Sequence, residues 1–175
     1  MQDLIEKIKP HFKGSGMHGL DHAIRVHRVG KFIAEKEGAK VNIVEAACLL
    51  HDVGKSYETK DTCHAKIGSE MVPELLRAVG FEETLIGEVQ YCVLVHRYSE
   101  GIIPRTIEAK IVQDSDRLEE IGAIALSRGI GEDIAYGKPL YYPEMKPNEK
   151  YKSGTIFIKI KRTPIFGFCI KNQLC

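Results

Sequence analysis

The sequence predicts an all-α protein, a helical bundle followed by an irregular C-terminal tail for which a β-strand is one alternative. Apolar residues recur at helical spacing in successive segments, and glycine, proline or polar residues separate these segments. The alternation of apolar and polar residues that is typical of strands does not occur before residue 150. With 175 residues, 43% of them hydrophobic, the chain is long enough to bury a core as one domain.

Six segments have the helical pattern, and they cover residues 4–8, 20–37, 43–51, 64–79, 82–98 and 106–128. Gly38 and Gly80 are expected to end the second and fourth helices, because glycine readily closes a helix. Asn42 and Thr106 are the expected N-caps of the third and sixth. The third helix is apolar nearly all round, which predicts a central position. Pro73 lies inside the fourth helix and is expected to kink or divide it.

The composition changes past residue 129, where glycine and proline residues favour loops. The stretch from Lys146 to the end carries seven basic residues and a single acidic residue, Glu149. Residues 155–160 have the composition of a strand, so an edge strand or hairpin and a disordered basic tail are both compatible with this stretch. The expected organisation is a helical domain over residues 1–145 and a basic tail over residues 146–175.

The overall composition argues against several classes of partner. Lys and Arg (25) nearly balance Asp and Glu (24), so no long-range electrostatic field favours nucleic acid. Nucleic-acid binding by the basic tail is the weakest hypothesis, because a solvated charge run explains the tail equally well. The first nine residues mix charged with apolar side chains, unlike a signal peptide, and no apolar run is long enough to cross a membrane. The five cysteines include no C-x-x-C pair, which favours reduced thiols. We expect a soluble cytoplasmic protein, with a homo-oligomer left open.

The third helix ends in a pair of residues that can do chemistry. An apolar run over residues 44–50 is followed directly by His51 and Asp52, and then by Gly54 and Lys55. A buried imidazole or carboxylate costs free energy unless it is hydrogen-bonded or binds a cation. A shared divalent metal satisfies both groups, and nitrogen with carboxylate oxygen suits Mn, Fe, Zn or Mg. The alternative is that His51 caps the helix C-terminus while Asp52 bonds a turn amide.

Three further histidines lie at the ends of predicted core helices. His22 borders the apolar face of the second helix, His64 begins the fourth, and His96 ends the fifth. Taken singly, each is more often a satisfied core or capping residue than a metal ligand. The remaining histidines have no evident partner in the sequence and are expected to be solvated: His11, His18 and His27.

The sixth helix places two carboxylates among apolar residues. At 100° per residue, Asp114 falls within the stripe that contains Ile107, Ile111 and Leu118, and Asp116 falls on the opposite face. An ion pair of these carboxylates with Arg117, Arg97 or Arg105 is the alternative interpretation. Considered jointly, six residues occupy ends or midpoints of core helices, which a helical bundle gathers around its centre: His22, His51, Asp52, His64, His96 and Asp116.

The order of these motifs resembles the H…HD…D signature of the HD-domain metal-dependent phosphohydrolases. The matching segments are residues 21–22, 51–55 and 115–118. The likeness extends over roughly residues 15–145, and residues 111–125 are similar to the corresponding sequence of small stand-alone bacterial and archaeal HD proteins. The His-Asp dipeptide alone is a weak signal, whereas the ordered set with the Asp-x-Asp-Arg-Leu helix is specific. Residues 153–175 depart from the pattern, since relatives continue there into another helical segment.

The resemblance implies a set of site residues. One divalent metal would be held by His22, His51, Asp52 and Asp116. His64 and His96 lie where some family members place ligands of a second metal or contacts to substrate. Lys55 occupies the phosphate-binding position, and Asp52 and Lys55 are the expected catalytic residues. Arg97 could bind phosphate oxygens as a charge clamp. Asp114 would lie behind the ligands, contacting a ligand side chain rather than the metal.

The activity implied is hydrolysis of a nucleotide or related phosphate ester, with a divalent metal (Mn, Fe, Mg, Co or Zn; one or two ions) activating water. The proton could be moved by Asp52, His64 or His96. One alternative is a cyclic-nucleotide or alarmone-type phosphodiesterase or hydrolase. Another is a catalytically silent regulatory module that keeps the metal.

Overall fold

The computed structural model describes residues 1–13, 16–135 and 137–138. Within these residues the chain is all-α and contains no strand, so the predicted fold class is confirmed. The α-helices, joined by loops and short 3₁₀ turns, are α1 Gln2–Ile8, α2 Leu20–Glu37, α3 Val41–Leu50, α4 His64–Arg77, α5 Ile86–Val95, α6 Ile107–Leu118 and α7 Gly122–Ala135. The predicted basic tail, residues 146–175, and the strand alternative within it lie outside the described residues.

Helix α3 is the centre of the bundle, as its all-round apolar character predicted. Seven of its ten residues are buried, and α2, α5 and α6 pack around it. Helix α4 packs on α5. A close approach between α2 and α3 depends on Gly30, because a Cβ there would lie 2.5 Å from Cys48 Sγ. This packing brings the end of α3 to the middle of the molecule.

A predicted division of one helix and one predicted N-cap are wrong, and a second predicted N-cap is confirmed. Pro73 does not divide α4, which is continuous over His64–Arg77. Buried Val72 and Leu76 anchor the helix to the core around the proline, and this burial outweighs the lost hydrogen bond. Helix α3 begins at Val41, so Asn42 is not its N-cap. The predicted cap of α6 is confirmed, since Thr106 Oγ accepts the Ala109 N–H at 3.2 Å.

The sixth predicted helix is in fact two helices. Helix α6 ends at Leu118, and Gly122, with φ of +75°, separates it from α7. Helix α7 then continues to Ala135, through the region where a loop was expected. The predicted apolar stripe is wrong in part. Ile111 is buried, but Ile107 and Leu118 of the same stripe are more than 40% exposed, whereas Ala109 and Val112 on the other face are buried.

Among the described residues, no helix combines the length and the apolar character that crossing a bilayer requires. The described cysteines are free thiols. Burial raises the pKa of the Cys92 thiol to about 12 and that of Cys48 well above its usual range, so both stay protonated as core residues.

Candidate metal centre

The ends of five helices converge on one buried cluster. The clustered side chains are His22 in the first turn of α2, His51 and Asp52 after α3, His64 at the start of α4, His96 after α5, and Asp116 in the last turn of α6. The four histidines and Asp52 are each less than 5% exposed. The structure therefore brings together the six residues whose gathering the bundle predicted.

One carboxylate oxygen of Asp52 faces the first set of ligands, which we call the Oδ2 half: His22, His51, Asp116 and Asp52 Oδ2. Asp52 Oδ2 lies 3.3 Å from His51 Nε2 and 3.9 Å from His22 Nε2. Asp116 Oδ1 lies 3.2 Å from His22 Nε2 and 3.7 Å from His51 Nε2. Asp52 Oδ2 and Asp116 Oδ1 thus each lie within 4 Å of the same two imidazole nitrogens.

The other oxygen of Asp52 faces a second set, which we call the Oδ1 half: His64, His96 and Asp52 Oδ1. Asp52 Oδ1 lies 3.2 Å from His64 Nε2 and 3.9 Å from His96 Nε2. The potential ligand atoms of Asp52, His64 and His96 lie within 4.8 Å of one another. Asp52 is therefore shared between the two halves.

Hydrogen bonds on the far side of the imidazole rings orient the Nε2 atoms. His51 Nδ1 donates to the Cys48 carbonyl and His96 Nδ1 to the Val93 carbonyl, both at 2.7 Å. His64 Nδ1 donates to Glu58 Oε1 at 2.8 Å. Because Nδ1 carries the proton in these rings, the neutral tautomer presents the Nε2 lone pair to Asp52.

Some buried nitrogens of the Oδ2 half have no hydrogen-bond partner among the described residues: both ring nitrogens of His22 and Nε2 of His51. Burying such atoms without a partner costs free energy. The donor set of imidazole nitrogen and carboxylate oxygen is the one that Mn, Fe, Co and Zn accept. The residues present therefore fit a divalent metal ion.

The electrostatics of the cluster also favour a cation. Burial acts to raise the pKa of Asp52 and Asp116, but the surrounding imidazoles outweigh it and hold both pKa values well below the usual range. Burial opposes the charge on His51, yet Asp52 and Asp116 raise the pKa of His51 to about 9. Burial and His51 together lower the pKa of His96 to about 4. At neutral pH the carboxylates are ionised and His96 is neutral, so these groups can bind metal directly, whereas His51 must first lose its proton.

Two basic residues lie at the edge of the cluster. Lys55, three residues after Asp52, pairs with Glu58 at 2.6 Å, and its side chain is 26% exposed. Arg97, next to His96, pairs with Glu100 at 2.8 Å and donates to Cys63 Sγ at 2.9 Å. Burial acts to raise the pKa of Glu58, but Lys55 and His64 lower it to about 2.

The structure does not bring Asp114 to the cluster, so its predicted position behind the ligands is wrong. Its side chain is 60% exposed and pairs with Arg117 at 3.3 Å. Asp114 lies two positions before Asp116, which turns it about 200° around the helix and towards solvent.

Sequence reasoning missed His18, which was expected to be solvated. His18 Nδ1 lies 2.7 Å from Asp52 Oδ2, and the side chain is 35% exposed. A short 3₁₀ turn carries it, and Arg128 on α7 donates to the Met17 carbonyl of that turn at 3.0 Å. The expectation is also wrong for His27, which is 15% exposed and contacts Glu45 at 3.1 Å. The available signal for His18 was its position four residues before His22. The two do not share a helix, however, because α2 begins only after Gly19.

Sequence comparisons find relatives of this chain. The uncharacterised protein YpgQ of Bacillus subtilis is 35% identical over 133 residues, which cover 74% of this chain and 64% of YpgQ. Ribonuclease Y of Chloroflexus aurantiacus is 31% identical over 104 residues, covering 59% of this chain and 18% of the ribonuclease. The chain thus spans less than two thirds of the length of these relatives.

Solved structures show the same fold. A predicted HD superfamily hydrolase from an uncultured Thermotogales bacterium has a TM-score of 0.64 and 28% identity, covering 82% of this chain and 79% of that one. A structure of YpgQ in complex with ADP has a TM-score of 0.63 and 24% identity, covering 99% of this chain and 92% of that one. The model of the HD-domain family matches residues 19–121, more than half of the sequence. The chain therefore belongs to the HD-domain family, whose domains bind divalent metal ions, and its likeness is to HD-superfamily hydrolases.

Proposed function

We propose that this chain is a metal-dependent phosphohydrolase that acts on a nucleotide or a related phosphate ester. The observation that carries the proposal is the buried Asp52 carboxylate between two sets of imidazole nitrogens, with Lys55 at the edge of the same cluster. Five imidazoles lie within 4 Å of this one carboxylate, which a structural ion pair does not need. Imidazole nitrogens and carboxylate oxygens are ligands for divalent ions. Such ions would neutralise phosphate charge, and charge stabilisation supplies most of the catalysis of phosphoryl transfer.

The ligands divide between the two halves of the cluster. The Oδ2 half would hold the first ion through His22, His51, Asp52 and Asp116. The Oδ1 half would hold a second ion, or contact substrate, through His64, His96 and the other oxygen of Asp52. A bound divalent ion would supply Lewis acidity and lower the pKa of a coordinated water.

Lys55 and Arg97 would bind the phosphoryl oxygens. Each is now paired with a partly exposed carboxylate three residues away, Glu58 and Glu100 respectively. Exposed pairs of this kind contribute about 0–1 kcal/mol. A phosphate can displace them, because hydrogen bonds to its oxygens are charge-assisted and stronger. Asp52, His64 and His96 are the candidates for moving the proton, since all three lie within the cluster.

Two relatives bear on the substrate class. The complex of YpgQ with ADP supports a nucleotide as ligand. The similarity to ribonuclease Y favours a phosphodiester as the second candidate substrate. A regulatory module without turnover is the remaining alternative, and the same experiment separates the three.

The test is the release of phosphate from a panel of nucleotides, simple monoesters and a phosphodiester, with Mn²⁺, Mg²⁺, Co²⁺ or no metal. Added inorganic pyrophosphatase reports cleavage that yields pyrophosphate, and chromatography reports diester products. We expect metal-dependent release from a subset of nucleotides, abolished in Asp52→Ala. Folded, metal-loaded protein that releases nothing from any substrate contradicts the proposal and favours the regulatory module.

A further inference from the structure

The loop before α4 places one carboxylate between the basic edge of the site and the Oδ1 half. Glu58 Oε2 accepts a hydrogen bond from Lys55 Nζ at 2.6 Å. Glu58 Oε1 accepts two from His64, one from the ring Nδ1 at 2.8 Å and one from the backbone N–H at 3.3 Å. A single side chain thus links the proposed phosphate-binding lysine to a proposed metal ligand.

His64 needs such a partner because of its position in the fold. His51 and His96 follow their helices, so each ring reaches the carbonyl three residues earlier. His64 is instead the first residue of α4, and no helical turn precedes it. The contact that orients this ring must therefore come from a side chain.

The backbone of His64 has a second contact besides its hydrogen bond to Glu58. A Cβ on Gly54 would overlap the His64 carbonyl oxygen and approach Gly68 N at 2.6 Å, so the turn after Asp52 packs directly on the start of α4. What Glu58 determines is the orientation and tautomer of the imidazole. With the Nδ1 proton donated to Glu58, the Nε2 lone pair faces Asp52 Oδ1 at 3.2 Å.

We propose that Glu58 is a positioning residue: it orients His64 as a ligand of the Oδ1 half and couples that half to Lys55. A carboxylate that accepts the Nδ1 proton fixes the ring and raises the basicity of Nε2. This role rests on the proposed metal-dependent function, and it concerns one half of the cluster only. In the Oδ2 half, the Cys48 carbonyl rather than Glu58 orients the ring of His51.

The first test is Mn²⁺ binding to the metal-free full-length chain, measured by isothermal titration calorimetry. Glu58→Ala should weaken the ion of the Oδ1 half about 10–100-fold, the usual cost of losing such a partner, and leave the other ion unchanged. Glu58→Gln, which keeps an acceptor for Nδ1 but not the charge, should be intermediate. The matched control is Glu83→Ala, which removes a carboxylate that pairs with Arg77 on the exposed surface.

A double-mutant cycle then tests whether Glu58 affects metal binding through His64 or through a general effect on the site. In the His64→Ala background, Glu58→Ala should cause no further loss of Mn²⁺ affinity. An equal loss in both backgrounds, or a Glu58→Ala isotherm identical to wild type, overturns the proposal. A single wild-type ion that His64→Ala leaves unchanged also overturns it but spares the proposed hydrolase. Wild-type protein that binds no Mn²⁺ contradicts both.

The second test uses kinetics on whichever substrate the panel identifies. Glu58→Ala should lower kcat without raising KM, because Lys55 is released from its carboxylate and stays free for phosphate. Lys55→Met should instead raise KM. A Glu58→Ala variant that only raises KM contradicts the coupling. Circular dichroism melts of both variants establish that they are folded.

Discussion

The two halves of the cluster share Asp52 but are built differently. In the Oδ2 half, His22, His51 and Asp116 come from α2, α3 and α6, three helices that pack on one another around the core. In the Oδ1 half, His96 follows α5 and is oriented by a backbone carbonyl, whereas His64 depends on a loop carboxylate. The core thus sets one half, and a loop sets a critical part of the other. Substitutions in the loop and in the core should therefore affect the two halves of the cluster to different extents.

The largest effect is expected from Asp116→Asn, which removes a charge from the Oδ2 half only. Loss of a group that hydrogen-bonds to a metal ligand already lowers metal affinity about 10–100-fold. Loss of the charge of a ligand itself should therefore weaken Mn²⁺ binding in the Oδ2 half by more than about 100-fold. Calorimetric titration measures this. Asp114→Asn, on the exposed face of the same helix, is the matched control and should bind as wild type. Equal losses in both variants would contradict the assignment.

The pH dependence should also distinguish the halves. The pKa of His51 is about 9 without metal, so below pH 9 a metal must displace its proton. Affinity in the Oδ2 half should therefore rise with pH, by up to about tenfold per unit between pH 6 and 8. His96, with its pKa near 4, is already neutral in this range and contributes no such slope. Mn²⁺ titrations at pH 6, 7 and 8 test this, and a flat profile for both ions would contradict it.

Gly54→Ala should disturb the Oδ1 half most. The added methyl group would meet the backbone of His64 and Gly68, and overpacking of this kind costs about 1–3 kcal/mol of unfolding free energy. Chemical denaturation measures the loss, and the Oδ1 ion should weaken as His64 shifts. Gly87→Ala is the control, because a Cβ there meets no atom within 4 Å in the described structure and alanine favours a helix. If Gly54→Ala is as stable as Gly87→Ala, the close approach is not required.

The smallest effect is expected from His18→Ala. His18 contacts Asp52 Oδ2 from the exposed side of the cluster, so its loss should weaken the Oδ2 ion by about tenfold without removing a ligand from either half. His11→Ala is the control, because His11 bonds Tyr57 and does not approach Asp52 at that distance. A loss as large as that of Asp116→Asn would show instead that His18 is itself a ligand.

The helices of the core were predictable because their apolar periodicity matches their burial. Gly38, whose φ is +68°, caps the end of α2, and α3 is central, as its composition indicated. Periodicity failed in α6 because Ile107 and Leu118 lie on the exposed side, so it could not choose between Asp114 and Asp116. The resemblance to the HD family supplied Asp116.

Other parts of the site depend on tertiary contacts that local sequence does not encode. The turn that carries His18 to Asp52 accepts a hydrogen bond from Arg128, over a hundred positions away. Glu58 reaches His64 across a loop of no regular pattern. Propensity marked Pro73 as a break, but burial of its neighbours keeps α4 intact.

The most direct test of the central claim is the Mn²⁺ stoichiometry of the metal-free wild-type chain beside Asp52→Asn and His64→Ala, by calorimetry and by metal analysis after gel filtration. If Asp52 joins two metal positions, the wild type should bind two ions, His64→Ala one, and Asp52→Asn neither with comparable affinity. An Asp52→Asn protein that is folded and binds Mn²⁺ as tightly as wild type would contradict the assignment of this cluster as the metal centre.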